Sequence, residues 1–305
     1  MMNRPNAQKV YFITGAAGFV GRRFLELFGK QHPEIYWKIL IHEKQISFNL
    51  RNSSLVRASL EDRGALSRAL EGVDLILHLA AKTHASHKDE YMRVNWLGTK
   101  HLVDAAQEKG VRRFVFISTR AISPECGDYA ISKRKAEEVV ISSGIPHVIL
   151  RFSEIYGFGS KEGIGELVRF IKTFPVVIYP RGDVSFAPIC LEDAVLAMIE
   201  VLRRPNINNR IYTLAGPRVY KFRELIETIA NALSLRRIFI PIPITFFRFL
   251  SSVARFGGKP LFRYDQTARL LCAKDFDISI ASRDLDFKPK PFEEGMRSMI
   301  DSVIE

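Results

Sequence analysis

The sequence predicts an α/β fold: a doubly wound parallel sheet joined to a smaller mixed α/β C-terminal lobe. Three observations carry this. Short, continuously apolar runs alternate with helical patterns through the first half of the chain. A glycine-rich turn separates the first apolar run from the first helical pattern. From about Tyr156 the rhythm loosens into helices mixed with short strands. Continuous apolar strands need cover on both faces, and helices between parallel strands provide it.

In order, Val10-Tyr11-Phe12-Ile13 reads as a buried strand, followed by a glycine turn and a helix through Phe24-Leu25-Glu26-Leu27. Trp37 to Ile41, Ser54 to Arg57 and Val73 to His78 read as further strands. A helix runs from about Glu90 to Lys109, and Phe114 to Ile117 is the next strand. Tyr129 to Ser142 has helical spacing, and His147 to Leu150 closes the series. Beyond it, Ile164 to Thr173, Leu191 to Arg203, Lys221 to Leu233 and Phe292 to Val303 read as helices, and Ile211 to Leu214 as a strand. With a glycine-rich turn leading from the first strand into a helix N-terminus, where phosphates bind, residues 1–155 are expected to form a dinucleotide-binding domain. Residues 156–305 are expected to form a substrate-binding lobe with some elements returning to the main sheet.

Composition narrows the function. The 305 residues are 47% hydrophobic, enough for a sizeable core. Lys plus Arg is 45 against 33 Asp plus Glu, a net charge of +12 that favours anionic partners such as dinucleotides, nucleotide-sugars or an acidic membrane surface. There is no arginine-rich tail or helix-turn-helix pattern, so nucleic acid is not expected. The three cysteines, Cys126, Cys190 and Cys272, form no CxxC. Neither a disulfide framework nor a zinc site is expected, and a reducing cytoplasm fits. The stretch from Ile238 to Ala254 is the most apolar, but Pro241, Pro243 and Arg248 interrupt it and it is too short to span a bilayer.

Two motifs carry chemistry. In Thr14-Gly15-Ala16-Ala17-Gly18-Phe19-Val20-Gly21, Gly15 permits a tight turn, Gly18 lets the backbone approach a pyrophosphate, and Gly21 lets helix and strand pack closely. This is the Rossmann-type arrangement. In Tyr129-Ala130-Ile131-Ser132-Lys133 the phenol and the ammonium share a helix face. A nearby ammonium lets a tyrosine exchange protons with a substrate oxygen near neutral pH. Ser118-Thr119 ends a strand at the carboxyl edge of the sheet, where a hydroxyl can orient the same oxygen.

These segments, with HLAA at His78 to Ala81, VNWLGT at Val94 to Thr99 and LRFSEIYG at Leu150 to Gly157, resemble the extended short-chain dehydrogenases/reductases in identity and order. The C-terminal half is similar too. Phe186-Ala187-Pro188-Ile189 with Leu191-Glu192-Asp193-Ala194, and Phe276 through Gly295, resemble segments of nucleotide-sugar epimerases, dehydratases and 4-keto reductases. The resemblance implies Thr119, Tyr129 and Lys133 as catalytic residues, with Lys133 also touching the nicotinamide ribose. Around the cofactor it implies Gly15, Ala17, Gly18, Phe19, Val20 and Gly21, the Ser59-Leu60 pair, Leu79, Ala80 and Ala81. Asn95, Ser118 and Phe152 count with them. His42 and Lys44, after the second strand, are the residues expected to read the ribose 2′ position, and they leave NAD and NADP both open.

Candidate substrate contacts are His84 and Ser86 after HLAA, Glu154, and Arg269 and Lys274 as diphosphate partners. The loose spacing from His84 to Asp89 argues against a metal. Four features depart from the family pattern. Thr119 and Tyr129 are only ten positions apart, as in the branch resembling the accessory NADPH-binding subunit of respiratory complex I. The segment Tyr212 to Pro217 leans the same way. Ser59 stands where an adenine-binding Asp is usual, and Glu154 where many sugar-nucleotide members have Asn.

The leading expectation is an NAD(P)-dependent epimerase, dehydratase or 4-keto reductase acting on a nucleotide-activated sugar. The alternatives are a lipid or steroid-type alcohol dehydrogenase and a non-catalytic NADPH-binding structural or assembly protein. The expected partners are a small-molecule substrate and a second copy of the chain; the aromatic and basic run Phe246 to Leu250 reads first as a lobe helix packing on the core, with a weak membrane-surface contact as the alternative.

Overall fold

The computed structural model describes residues 8–42, 50–85, 87–253, 264–272 and 274–304. Two compact units are woven from alternating stretches of chain. The first comprises Met1–Ser118, Ser132–Leu150 and Met198–Ile211; the second comprises Thr119–Ile131, Arg151–Ala197 and Tyr212–Glu305.

The strands of the first half are β1 (Lys9–Thr14), β2 (Ile35–Ile41), β3 (Ser53–Arg57), β4 (Leu75–His78), β5 (Arg113–Thr119) and β6 (His147–Phe152). Its helices are α1 (Phe19–Phe24), α2 (Arg63–Ala69), α3 (Lys88–Tyr91), α4 (Gly98–Glu108) and α5 (Asp128–Ser142). The second half adds strands β7 (Ile155–Tyr156), β8 (Val176–Arg181), β9 (Ser185–Phe186), β10 (Ile189–Cys190), β11 (Arg210–Leu214), β12 (Tyr220–Lys221) and β13 (Ile238–Pro243). Its helices are α6 (Ile164–Thr173), α7 (Leu191–Arg203), α8 (Phe222–Ala232), α9 (Ile244–Val253), α10 (Tyr264–Leu271), α11 (Ser279–Leu285) and α12 (Phe292–Ile304).

The main sheet has seven strands in the order β11-β6-β5-β4-β1-β2-β3. β1 pairs in parallel with β2 on one side and β4 on the other, so the strand order reverses at β1. In open α/β sheets that reversal opens a crevice at the carboxyl ends of the strands, where ligands bind. Phe12, Ile76, Phe114 and Ile149 point from the strands into a core that Leu66, Leu102, Val103 and Val140 cover from the helices. Each such side chain contributes about 1.5–3 kcal/mol on burial. Local signals agree with this packing. Asp62 caps α2 by accepting from the Ala65 amide at 2.9 Å. Gly98 lets α4 lie against Leu60, whose Cβ a side chain there would meet at 2.9 Å.

The second unit has its own core, in which Tyr156, Phe186, Tyr220, Phe222, Ile226 and Phe292 pack together. Among the described residues it holds three two-stranded pairings: β10 with β7, β12 with β9, and β13 with β8. A Cβ on Gly295 would strike the Tyr156 hydroxyl, which accounts for the glycine in the first turn of α12.

One expectation is overturned. Cys126 and Cys272 form a disulfide, with Cα atoms 5.1 Å apart. They are separated by 146 residues in sequence, and only the docking of α10 against the turn at Pro124–Cys126 brings them together. Cys190 is the free thiol and is buried. No described helix is long and apolar enough to cross a membrane.

Candidate active site

In the first unit, the turn after β1 closes tightly on itself. Gly15 has φ +74, and a Cβ there would lie 2.6 Å from the Ala80 amide nitrogen. A Cβ on Gly21 would strike the Gly15 carbonyl oxygen. Both glycines are therefore fixed by the fold. Gly18 differs: its φ is −77, it is exposed, and an added Cβ would meet only the Gly15 carbonyl, at 3.1 Å. It precedes α1, which begins with no side-chain cap and no acid in its first turn. Ala17, Phe19 and Val20 complete this turn. Bare first-turn N–H groups and the positive end of a helix suit a pyrophosphate, so the cradle fits a dinucleotide.

Behind the turn lies a buried polar relay. Thr99 donates its hydroxyl to the Asn95 carbonyl at 2.6 Å, and its lone pair receives His78 Nε2–H at 2.9 Å. That tautomer leaves His78 Nδ1 to accept from the Thr14 hydroxyl at 2.6 Å, while Thr14 Oγ1 accepts from the Ala80 amide at 3.1 Å. Burial, with the Lys133 charge added, lowers the His78 pKa to about 3 and keeps the ring neutral. The relay fixes Leu79, Ala80 and Ala81 at the end of β4. Asn95 extends it: its side chain receives the Lys82 amide at 2.7 Å and donates to Ser132 Oγ at 3.0 Å.

Other expected cofactor residues of this unit occupy loops at strand ends. His42 is exposed just past β2; Glu43 and Lys44 lie outside the described residues. Ser59 Oγ accepts from the Glu61 amide at 3.2 Å, and Leu60 is buried. Ser118 is buried, and its hydroxyl has no protein partner among the described residues. Lys133 on α5 is 2% exposed. Its ammonium donates to the Ile117 carbonyl at 2.7 Å and lies 4.0 Å from the Phe116 ring centre. Burial lowers its pKa to about 7, with Glu137 opposing that shift. His84 sits in the loop after β4 with Nδ1 3.1 Å from Thr83 Oγ1; Ser86 lies outside the described residues.

In the second unit, Thr119 closes β5 and its hydroxyl accepts from the Ala121 amide at 3.2 Å. Tyr129 lies in the first turn of α5, one turn before Lys133, and is 9% exposed. The Arg269 guanidinium stacks over its ring at 4.7 Å, and the disulfide ties the Pro124–Cys126 turn, just before α5, to the residue after α10, which carries Arg269. Phe152 is buried at the end of β6.

The residue that sequence reading missed is Arg120. It is buried next to Thr119 and donates from Nη2 to both carboxylate oxygens of Glu154 at 2.8 Å. Its Nε and Nη1 have no protein partner among the described residues, and its guanidinium stacks on Phe276 at 4.1 Å. Lys274, expected at a diphosphate, instead lies buried with Nζ 3.5 Å from Glu154. Burial pushes the Glu154 carboxyl up, but Arg120 and Lys274 outweigh this and hold it below the ordinary carboxylate range. Burial lowers Lys274 to about 8 against the pull of Glu154. A cavity of about 210 Å³ beside the cluster is lined by Arg120, Ile122, Ser123, Arg151, Thr213 and Asp275.

Known proteins resemble this chain along nearly its full length. The family model for the NAD dependent epimerase/dehydratase family matches residues 11–215. A UDP-glucose 4-epimerase of Vibrio cholerae is 23% identical, with 97% of this chain and 96% of the relative covered. A ceramide reductase of Caulobacter vibrioides is 27% identical over 78% of this chain and 75% of its own length. Among solved structures, MoeE5 in complex with UDP-glucose and NAD has a TM-score of 0.77 at 19% identity, covering 96% of this chain and 98% of that one. UDP-glucose 4-epimerase from Thermotoga maritima, with UDP-glucose, has a TM-score of 0.74 at 18% identity, covering 97% of this chain and 100% of that one. These likenesses establish a shared fold.

Proposed function

Because this chain belongs to the NAD-dependent epimerase/dehydratase family, we propose that it oxidises and reduces a nucleotide-activated sugar by hydride transfer, with Tyr129 as the acid/base. It is an enzyme of the short-chain dehydrogenase type. The observation that carries the reading is local: Tyr129 and Lys133 lie one turn apart on α5, and Thr119 closes β5.

A nicotinamide dinucleotide supplies the hydride acceptor and donor. In this reading the turn from Gly15 to Gly21 binds its pyrophosphate, and His42 with Lys44 reads the ribose 2′ position. Lys133, already stripped of water by burial, holds the nicotinamide ribose and favours the ionised phenol of Tyr129. Tyr129 takes the proton from the reacting hydroxyl as the carbon is oxidised and returns it on reduction. Thr119 Oγ1 holds the same oxygen. The Arg120–Glu154–Lys274 cluster carries one net positive charge, which supports an anionic substrate. The two cations are held rigidly through Glu154, so Lys274 acts in this reading through the cluster's charge.

Support for the sugar comes from the relatives named for UDP-glucose epimerisation and from the UDP-glucose and NAD bound to the MoeE5 fold neighbour. A second reading, a lipid or steroid-type alcohol dehydrogenase, is favoured by the higher identity to the ceramide reductase, 27% against 23%. One experiment separates them. Purified protein with NAD or NADP is offered UDP-glucose, UDP-glucuronic acid, a ceramide and a 3β-hydroxysteroid, and nicotinamide absorbance and product stereochemistry are followed. Turnover of a nucleotide-sugar supports the first reading; turnover of the lipids alone replaces it with the second.

A further inference from the structure

The exposed apolar residues of the second unit are not scattered. β8 and β13 pair in parallel with Val176 opposite Ile238 and Ile178 opposite Ile240. Strand alternation turns Val177 and Tyr179 into the core and leaves the other set outward. Val176, Ile178, Ile238 and Ile240 are 38%, 42%, 63% and 42% exposed, a continuous aliphatic strip across two strands. α9 packs on both strands and adds exposed rings at Phe246 and Phe249, 6.4 Å apart. Isolated exposed apolar residues need no explanation, but contiguous patches of this kind mark interaction surfaces.

The two sequence segments that contain the strip are rich in cations and poor in acids. Between Glu227 and Asp265 the sequence has no acidic residue and carries Arg236, Arg237, Arg248, Arg255, Lys259 and Arg263. Between Glu166 and Asp183 there is again no acid, and Arg169, Lys172 and Arg181 are present. Arg236, Lys172 and Arg181 are exposed, and Arg237 caps the end of α6 through the Ile171 and Lys172 carbonyls. A cavity of about 470 Å³ at the head of β13 is lined by Arg236, Arg237 and Asn231, with Arg223 paired there to Glu227.

We propose that the outer face of the β8–β13 pair, with α9, seats this protein on an anionic lipid surface. An aliphatic strip with exposed Lys172, Arg181 and Arg236 in the segments that flank its strands suits the boundary between acyl chains and anionic headgroups. A second copy of the chain is a poor occupant, because it would bring the same exposed cations Arg236, Lys172 and Arg181 to the interface, while Glu227 and Asp183 are already paired to Arg223 and Lys221. Nucleic acid would leave the aliphatic strip uncovered. No described helix can cross a bilayer, so the contact is with its surface.

The test is flotation of the full chain with vesicles of phosphatidylcholine alone and of phosphatidylcholine with phosphatidylglycerol. Wild type should float with the anionic vesicles only, and raised salt should weaken the binding. Ile238→Asp together with Ile240→Asp should lower the bound-to-free ratio at least about tenfold. Both positions are exposed, and dinucleotide affinity measured in parallel reports that the variant is folded. Arg236→Glu should weaken binding to anionic vesicles and leave the behaviour with neutral ones unchanged. Equal flotation of the double variant, or no flotation of wild type at any phosphatidylglycerol fraction, overturns the proposal. So does a wild-type dimer that the double variant converts to monomer without any vesicle binding, which would assign the face to a second copy.

Discussion

A single nitrogen of Arg120, Nη2, donates to both carboxylate oxygens of Glu154, at 2.8 Å to each. Lys274 approaches the same carboxylate at 3.5 Å. An acid is thus required at position 154 by two cations whose side chains are each only 2% exposed. Removing one partner of a buried ion pair leaves an uncompensated charge.

Glu154→Gln should therefore cost about 3–5 kcal/mol of stability at neutral pH. Because the folded pKa of Glu154 is depressed below its ordinary value of 4.5, its contribution is present above that value and is lost as pH falls below it. Denaturant unfolding of wild type and variant at stepped pH is the check. The gap between them should narrow on acidification; a gap that stays constant would mean that the carboxylate charge is not what stabilises the site.

His78 offers a second pH test. Its folded pKa, about 3, lies below the ordinary value of 6.5, so the unfolded chain binds the extra proton first. Stability should fall as pH drops from about 6.5 towards 3. His78→Gln should flatten that slope while lowering stability at neutral pH, because it breaks the relay from Thr14 to Asn95. Melting temperature against pH for the two proteins decides it.

Gly18 and Gly15 of the first turn should separate by role. Gly18→Val has φ of the ordinary sign and one contact to relieve, so the protein should fold and lose dinucleotide binding. Gly15→Ala meets a positive φ and the Ala80 backbone, and should cost about 1–3 kcal/mol or more. Calorimetric titration with NAD and NADP, beside thermal melts, reads both. Near-normal affinity in folded Gly18→Val would remove the turn from the binding site.

The sequence made much of the architecture legible because its signals are local. Helices at Ile164–Thr173 and Leu191–Arg203 fall where the apolar spacing puts them. The lobe strands β8 and β13 are hidden in the sequence, because each contains proline and pairs with a strand some sixty positions away. The same reason hid the His78 relay, the Arg120–Glu154–Lys274 cluster and the disulfide. Each joins residues distant in sequence, and Arg120 belongs to no motif. Glu154 did stand out as a departure, and that was the one available hint of a buried cation beside it.

The disulfide yields its own expectation. Cys126→Ser and mild reduction should have the same effect, a loss of about 2–4 kcal/mol of stability from the loop it closes. Mass spectrometry of the alkylated protein, with and without reductant, should show Cys126 and Cys272 labelled only after reduction. Labelling of both before reduction would contradict the pairing.

In the proposed mechanism Tyr129 exchanges the proton that accompanies hydride transfer. The most direct measurement is single-turnover hydride transfer between bound nicotinamide and a nucleotide-sugar, for wild type and Tyr129→Phe, with dinucleotide affinity measured on the same samples. The phenol oxygen is the only group removed, so affinity should stay near wild type while transfer slows about a hundred- to ten-thousand-fold. Transfer in Tyr129→Phe at the wild-type rate, with cofactor still bound, would contradict the account.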